Sequence, residues 1–133
     1  MNSEGSLIDR IVQSAAKQLK KIVLEAGIAE SHGLGHMLAV LENLKRALAS
    51  NANDRSRIEI SEGRQLALQL GALLHDADDK KLFAAGSNNA VTIINSVMDE
   101  FSDGLKMCSI NPKKVEAEAM ETISYVSASD NGN

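Results

Sequence analysis

The sequence predicts an all-α domain, a bundle of about five main helices, and three observations predict it. Apolar residues recur at three- and four-residue intervals along nearly the whole chain. Residues that start helices (Ser31, Ser61 and the pair Asn111–Pro112) and one that stops a helix (Gly27) punctuate these runs. No stretch alternates apolar and polar side chains as a strand with one buried face must, and no internal repeat is present.

The first helix carries Leu7, Ile8, Ile11, Val12, Ala15, Leu19, Ile22, Val23 and Ala26 on one stripe, with Gly27 following as a stop. Ser31 is placed to cap a second, whose stripe is Leu34, Met37, Leu38, Leu41, Leu44 and Leu48. The polar run "ASNANDRSR" then reads as a solvated linker. Ser61 opens a third helix bearing Leu66, Leu70, Leu73 and Leu74, in which Ala67 and Ala72 allow a neighbour to come close. "GSNNA" opens a fourth, with Val91, Ile94, Val97, Met98 and Phe101 on one face and Gly104 beyond it. Asn111 and Pro112 suit the cap and first turn of a fifth, which runs through Val115, Ala119, Ile123 and Val126, and the Ser-, Asn- and Gly-rich tail after it reads as a loop.

Composition excludes several classes of function. A chain of 133 residues is expected to form one domain burying roughly two-thirds of its unfolded surface. Cys108 is the single cysteine, so no intramolecular disulfide can form, and a reducing, cytoplasmic setting is expected. The N-terminus lacks the basic and then apolar regions of an export signal, and no apolar run reaches the roughly 18 residues of a membrane span. With 14 basic against 18 acidic side chains, net −4, the chain lacks the electrostatic footprint of a duplex nucleic-acid binder. Two Phe, one Tyr and no Trp give no platform for stacking single-stranded bases. A small phosphorylated ligand remains compatible with this balance.

Chemistry concentrates in "LGALLHDADDKK", residues 70–81, where a leucine-rich segment ends in a histidine, three aspartates and two lysines. The other two of the three histidines, His32 and His36, stand four apart at the start of the second helix. Imidazole and carboxylate are ordinary ligands for Zn, Mn, Fe or Ni, and one of these histidines together with the pair His75–Asp76 could hold such an ion. A lone His-Asp pair at a helix end is more often a hydrogen-bonded core residue beside an exposed acid. The combination with "SHGLGHMLAVLENL" on another apolar helix is much rarer than either part.

Those two segments resemble the HD-domain metal-dependent phosphohydrolases, an all-α family whose pattern is a histidine on one helix, a His-Asp pair on a later one, and a final aspartate further on. The likeness spans about residues 30–127, with "SHGLGHMLAVLENL" similar to the first-histidine segment and "LGALLHDADDKKLF" to the signature. It implies an HD-type helical bundle in which His36, His75 and Asp76 are ligands of a divalent metal (Mn, Ni, Fe, Zn or Mg), and His32 sits near the mouth of the pocket, where it would meet the substrate, or just behind the ligands. It implies also that Asp79 lies near the water and the phosphate. No counterpart of the last aspartate is identifiable; Asp130 is the only acidic residue near the end, and the chain reads as the front portion of a longer HD domain.

The function so implied is metal-dependent hydrolysis of a nucleotide or related small phosphorylated compound, with weaker metal binding and impaired activity expected where the last aspartate is missing. Asp79 would orient the attacking water or take its proton, and Lys80 and Lys81 would offset phosphate charge, although paired lysines after a helix are more often a solvated turn. Asp78 reads as simply exposed, Cys108 as a small packed residue, and Met37, Met98 and Met120 as core filler. The alternative is a non-catalytic helical domain that binds a nucleotide or a protein partner in the same pocket. Metal, base, sugar and oligomeric state carry no signature in the residues.

Overall fold

The computed structural model describes residues 6–28, 33–79, 83 and 86–130, the last four of these as backbone. Six helices follow one another: α1 (Leu7–Glu25), α2 (Leu34–Ala52), α3 (Glu62–Leu74), α4 (Asn89–Glu100), α5 (Ser102–Met107) and α6 (Pro112–Asp130). Among the described residues there is no strand, and the class is all-α.

The helix ends follow local chemistry. Ser6 and Ser61 cap α1 and α3, their hydroxyls accepting from the amides of Asp9 and Arg64 at 3.2 Å each. Asn111 caps α6 by accepting from Lys113 N at 3.0 Å. At the end of α1, Gly27 takes φ +72°, and the bonds Ile28 N to Val23 O (3.2 Å) and Gly27 N to Leu24 O (3.1 Å) close a Schellman motif. α5 ends the same way around Ser109, whose φ of +59° is the sole positive value for a non-glycine among the described residues.

α3 is the centre of the bundle, packed against α6, α2 and α1, while α4 packs on α1 and α6. A helix buried on every side must be apolar on every side. Leu66, Leu70, Leu73 and Leu74 are each 0% exposed. Gly71 is where α6 comes closest: a β-carbon there would stand 2.6 Å from Cβ and Cγ2 of Thr122 and 3.1 Å from the Ala119 carbonyl oxygen. Ile11, Leu19, Met37, Ile93 and Ile94 fill the core around this axis.

Several boundaries differ from expectation. Ser31 lies outside the described residues; α2 begins after Gly33, with no side-chain cap. It runs on to Ala52, taking in the start of the expected linker, because Ala49 and Ala52 favour helix and nothing there breaks it. What remains of that linker is tied down by Asn51, whose amide donates to the Ile58 carbonyl at 2.8 Å and accepts from the Ile58 amide at 3.0 Å. Gly104 lies beyond α4, as expected, but within a further helix. The chain breaks at Phe101 and resumes as α5, with Gly104 inside it, where a β-carbon would come within 2.9 Å of Leu7. The tail is helical through Asp130, since Ser, Ala and Asp cost a surface helix little and the next glycine is Gly132. Cys108, expected to be packed, is exposed at the end of α5.

Candidate metal centre

α3 drives its last turn into the core, and His75 follows as its C-terminal cap with helical dihedrals, φ −60° and ψ −29°. The side chain of His75 is 0% exposed and that of Asp76 is 21% exposed. The chain continues in tight turns, Ala77 N bonding to Leu74 O at 3.0 Å and Asp79 N to Asp76 O at 3.2 Å. Ala77, 0% exposed, anchors this turn from below. A buried histidine is thereby followed by a carboxylate at the rim.

His36 comes from the first turn of α2. Met37 and Leu34 bury that turn against the bundle, and His36 beside them stays 51% exposed. The two imidazoles meet with ring centroids 5.3 Å apart and planes inclined at 66°. Asp76 Oδ2 lies 3.1 Å from His75 Nε2 and 3.5 Å from His36 Nε2. One ligand atom from each of His36, His75 and Asp76 can be chosen so that no two are farther apart than 4.8 Å.

The tautomer of His75 follows from its other nitrogen. Nδ1 is 2.8 Å from the Ala72 carbonyl oxygen. A carbonyl only accepts, so Nδ1 carries the proton and donates, and in the neutral ring Nε2 presents its lone pair toward Asp76. A lone pair and a carboxylate oxygen at 3.1 Å repel unless a proton or a cation lies between them.

The donor set fits a divalent metal. With bonds of about 2.1 Å, neighbouring ligand atoms stand about 3.0 Å apart around an octahedral ion and about 3.4 Å apart around a tetrahedral one. The 3.1 and 3.5 Å separations fall close to that range, and the widest pair stands at up to 4.8 Å. A histidine whose far nitrogen donates to a backbone carbonyl is also the usual arrangement around bound metal, since that bond holds the ring and its tautomer.

Of the other residues singled out, His32, Lys80 and Lys81 lie outside the described residues. Asp79 is partly buried in the turn after the signature, its carbonyl accepting from Phe83 N at 2.8 Å, and it is not one of the three clustered residues. Asp78 departs from expectation. It is partly buried, and its carboxylate accepts from Ser87 Oγ and Asn89 N, each at 2.6 Å, and from Ala90 N at 3.0 Å. An acid preceding a helix start by eleven residues has no local pattern that announces this role.

A cleft of about 460 Å³ opens at the other end of α3, between the starts of α3 and α6. Its cations Arg64 and Lys114 are matched by Glu62 and Glu118, with Arg64 Nη1 3.7 Å from Glu118 Oε2. Ser61 and Asn111 already cap both helix starts there. Convergent chemistry favours the histidines as the candidate site. No family model, curated protein or solved structure matches the chain.

Proposed function

We propose that the chain is a metal-dependent phosphohydrolase of the HD type, acting on a nucleotide or a related small phosphorylated compound. The observation that carries this reading is the meeting of His36, at the start of α2, with the pair His75–Asp76, at the end of α3, ligand atoms within 4.8 Å. The likeness of the two motif segments to that family supports it independently.

In this reading His75, held by its bond to Ala72, is the rigid ligand, and Asp76 and His36 complete the open side. A divalent ion bound there would polarise a phosphoryl oxygen and supply hydroxide near neutral pH. Asp79 orients the attacking water or takes its proton. Lys80 and Lys81, immediately after it in sequence, are compact cationic donors suited to the charge of the phosphate.

The test is phosphate release from a panel of nucleotides with added manganese. Release that requires the metal and is lost in Asp76→Ala is the expected result. Nucleotide binding without release under any metal would make the domain a binding module, and release untouched by Asp76→Ala would remove the chemistry from this group.

A further inference from the structure

α4 does not cap itself. Asn88, in the capping position, makes no side-chain capping bond. The amides of the first turn, those of Asn89 and Ala90, are instead taken by Asp78, from the turn that follows α3. One oxygen of Asp78 accepts both Ser87 Oγ and Asn89 N at 2.6 Å, and the other accepts Ala90 N at 3.0 Å. A second strap runs in parallel, Asn89 Nδ2 donating to the Ala77 carbonyl at 2.8 Å. Bonds to an ionised carboxylate are short and roughly twice as strong as neutral ones, and a negative charge at a helix N-terminus meets a favourable dipole.

The geometry matters because of what lies two residues earlier. Asp76 Oδ2 is the atom that approaches both imidazoles, yet Asp76 sits on a turn beyond the end of α3, where the helix no longer fixes direction. α4 is a firm body to tie that turn to, since Ala90, Ile93, Ile94 and Val97 bury it in the core.

We propose that Asp78 is a positioning residue of this centre: by capping α4 from outside that helix, it holds the turn carrying Asp76 so that its carboxylate faces His36 and His75 together. This rests on the reading of those three residues as a metal centre. A merely structural cap would lower stability when removed and leave metal affinity alone. A positioning residue changes the affinity and the coordination of the ion, and losses of about 10–100-fold are usual when a group supporting a ligand is removed.

The experiment uses cobalt(II) as the probe on the whole chain, with affinity from calorimetry, coordination from the visible absorption bands, and stability from thermal melts. Asp78→Asn offers one carbonyl oxygen in place of two, so an amide NH₂ must face at least one donor. Ser87→Ala removes a single bond and alters nothing adjacent to the ligands. Ser61→Ala is the control, removing a helix cap at the far end of α3. We expect Asp78→Asn to weaken cobalt binding by about tenfold or more and to alter the bands. Ser87→Ala should do the same to a smaller degree, and Ser61→Ala should lower the melting temperature alone. Wild-type cobalt affinity in both Asp78→Asn and Ser87→Ala, or an equal loss in Ser61→Ala, overturns the proposal while leaving the metal centre standing. If Asp78→Asn does not fold, unchanged binding by Ser87→Ala overturns it. A wild-type chain that binds no cobalt removes the metal centre, and this proposal with it.

Discussion

His36 and His75, one at the start of a helix and the other at the end of the next, meet edge to face with ring centroids 5.3 Å apart. Asp76 places one oxygen between them, 3.1 Å from the buried ring and 3.5 Å from the exposed one. Because the far nitrogen of His75 already donates to Ala72, this arrangement has room for one cation or one shared proton at its focus.

A bound cation stabilises the fold by mass action. At a metal concentration one hundred times the dissociation constant, the gain is about 2.7 kcal/mol, a rise of several degrees in melting temperature. His75→Ala and Asp76→Ala should lose that rise. Leu73→Ala, whose side chain is fully buried, should melt lower by about 2–5 kcal/mol yet keep the metal-dependent increment. A metal increment in His75→Ala equal to that of wild type would leave only the shared proton.

His36 tests the open side of the group. With its side chain 51% exposed, His36→Ala should change stability by no more than about 0.5 kcal/mol. Calorimetric titration with zinc or manganese should nonetheless show a clear loss of affinity. An unaltered titration would show that the metal, if bound, does not use α2.

Asp79→Asn separates holding the ion from using it. Phosphate release should fall by about 100-fold or more, the ordinary contribution of a proton-transfer group. Metal affinity, measured in the same preparation, should stay near that of wild type, since Asp79 is outside the three clustered residues. Equal loss of both would make Asp79 a ligand or a support.

Gly71→Ala should destabilise despite the higher helix propensity of alanine. The new methyl would meet Thr122 at 2.6 Å, and overpacking of this kind costs about 1–3 kcal/mol, more than the roughly 1 kcal/mol gained from propensity. Urea unfolding should show a lower midpoint; a higher one would mean that α3 and α6 sit farther apart.

Ser109→Gly should do the opposite. Ser109 holds φ +59° at the end of α5, a conformation that glycine adopts without the steric penalty of a β-carbon, and a gain of about 0.5–1 kcal/mol is expected. The same urea measurement decides it: a midpoint at or below that of wild type would show that the Schellman turn carries no such cost.

Much of the fold is legible from short-range signals. Ser61 and Asn111 accept from amides two or three residues ahead, and Gly27 closes bonds within its own turn. Gly104 shows the second of the two reasons for which a glycine is used, a left-handed turn or a close approach. Here it admits Leu7, a residue at the other end of the chain.

The residue types of the site could also be chosen from the sequence: a histidine at a helix start, and a His-Asp pair where a leucine-rich helix runs out. That determination is possible because helix period, capping and burial depend on neighbours within about one turn. The approach of His36 to His75 and Asp76, the exposure of Cys108, and the use of Asp78 as a cap for α4 were decided only by the tertiary structure. The partners of Asp78 lie nine, eleven and twelve residues away, across a connection whose path no local propensity sets. Such contacts form when α2 and α4 dock on α3 and α1, and docking is governed by how whole faces pack: by Gly71 against Thr122, and by Met37 and Ile94 in the shared core.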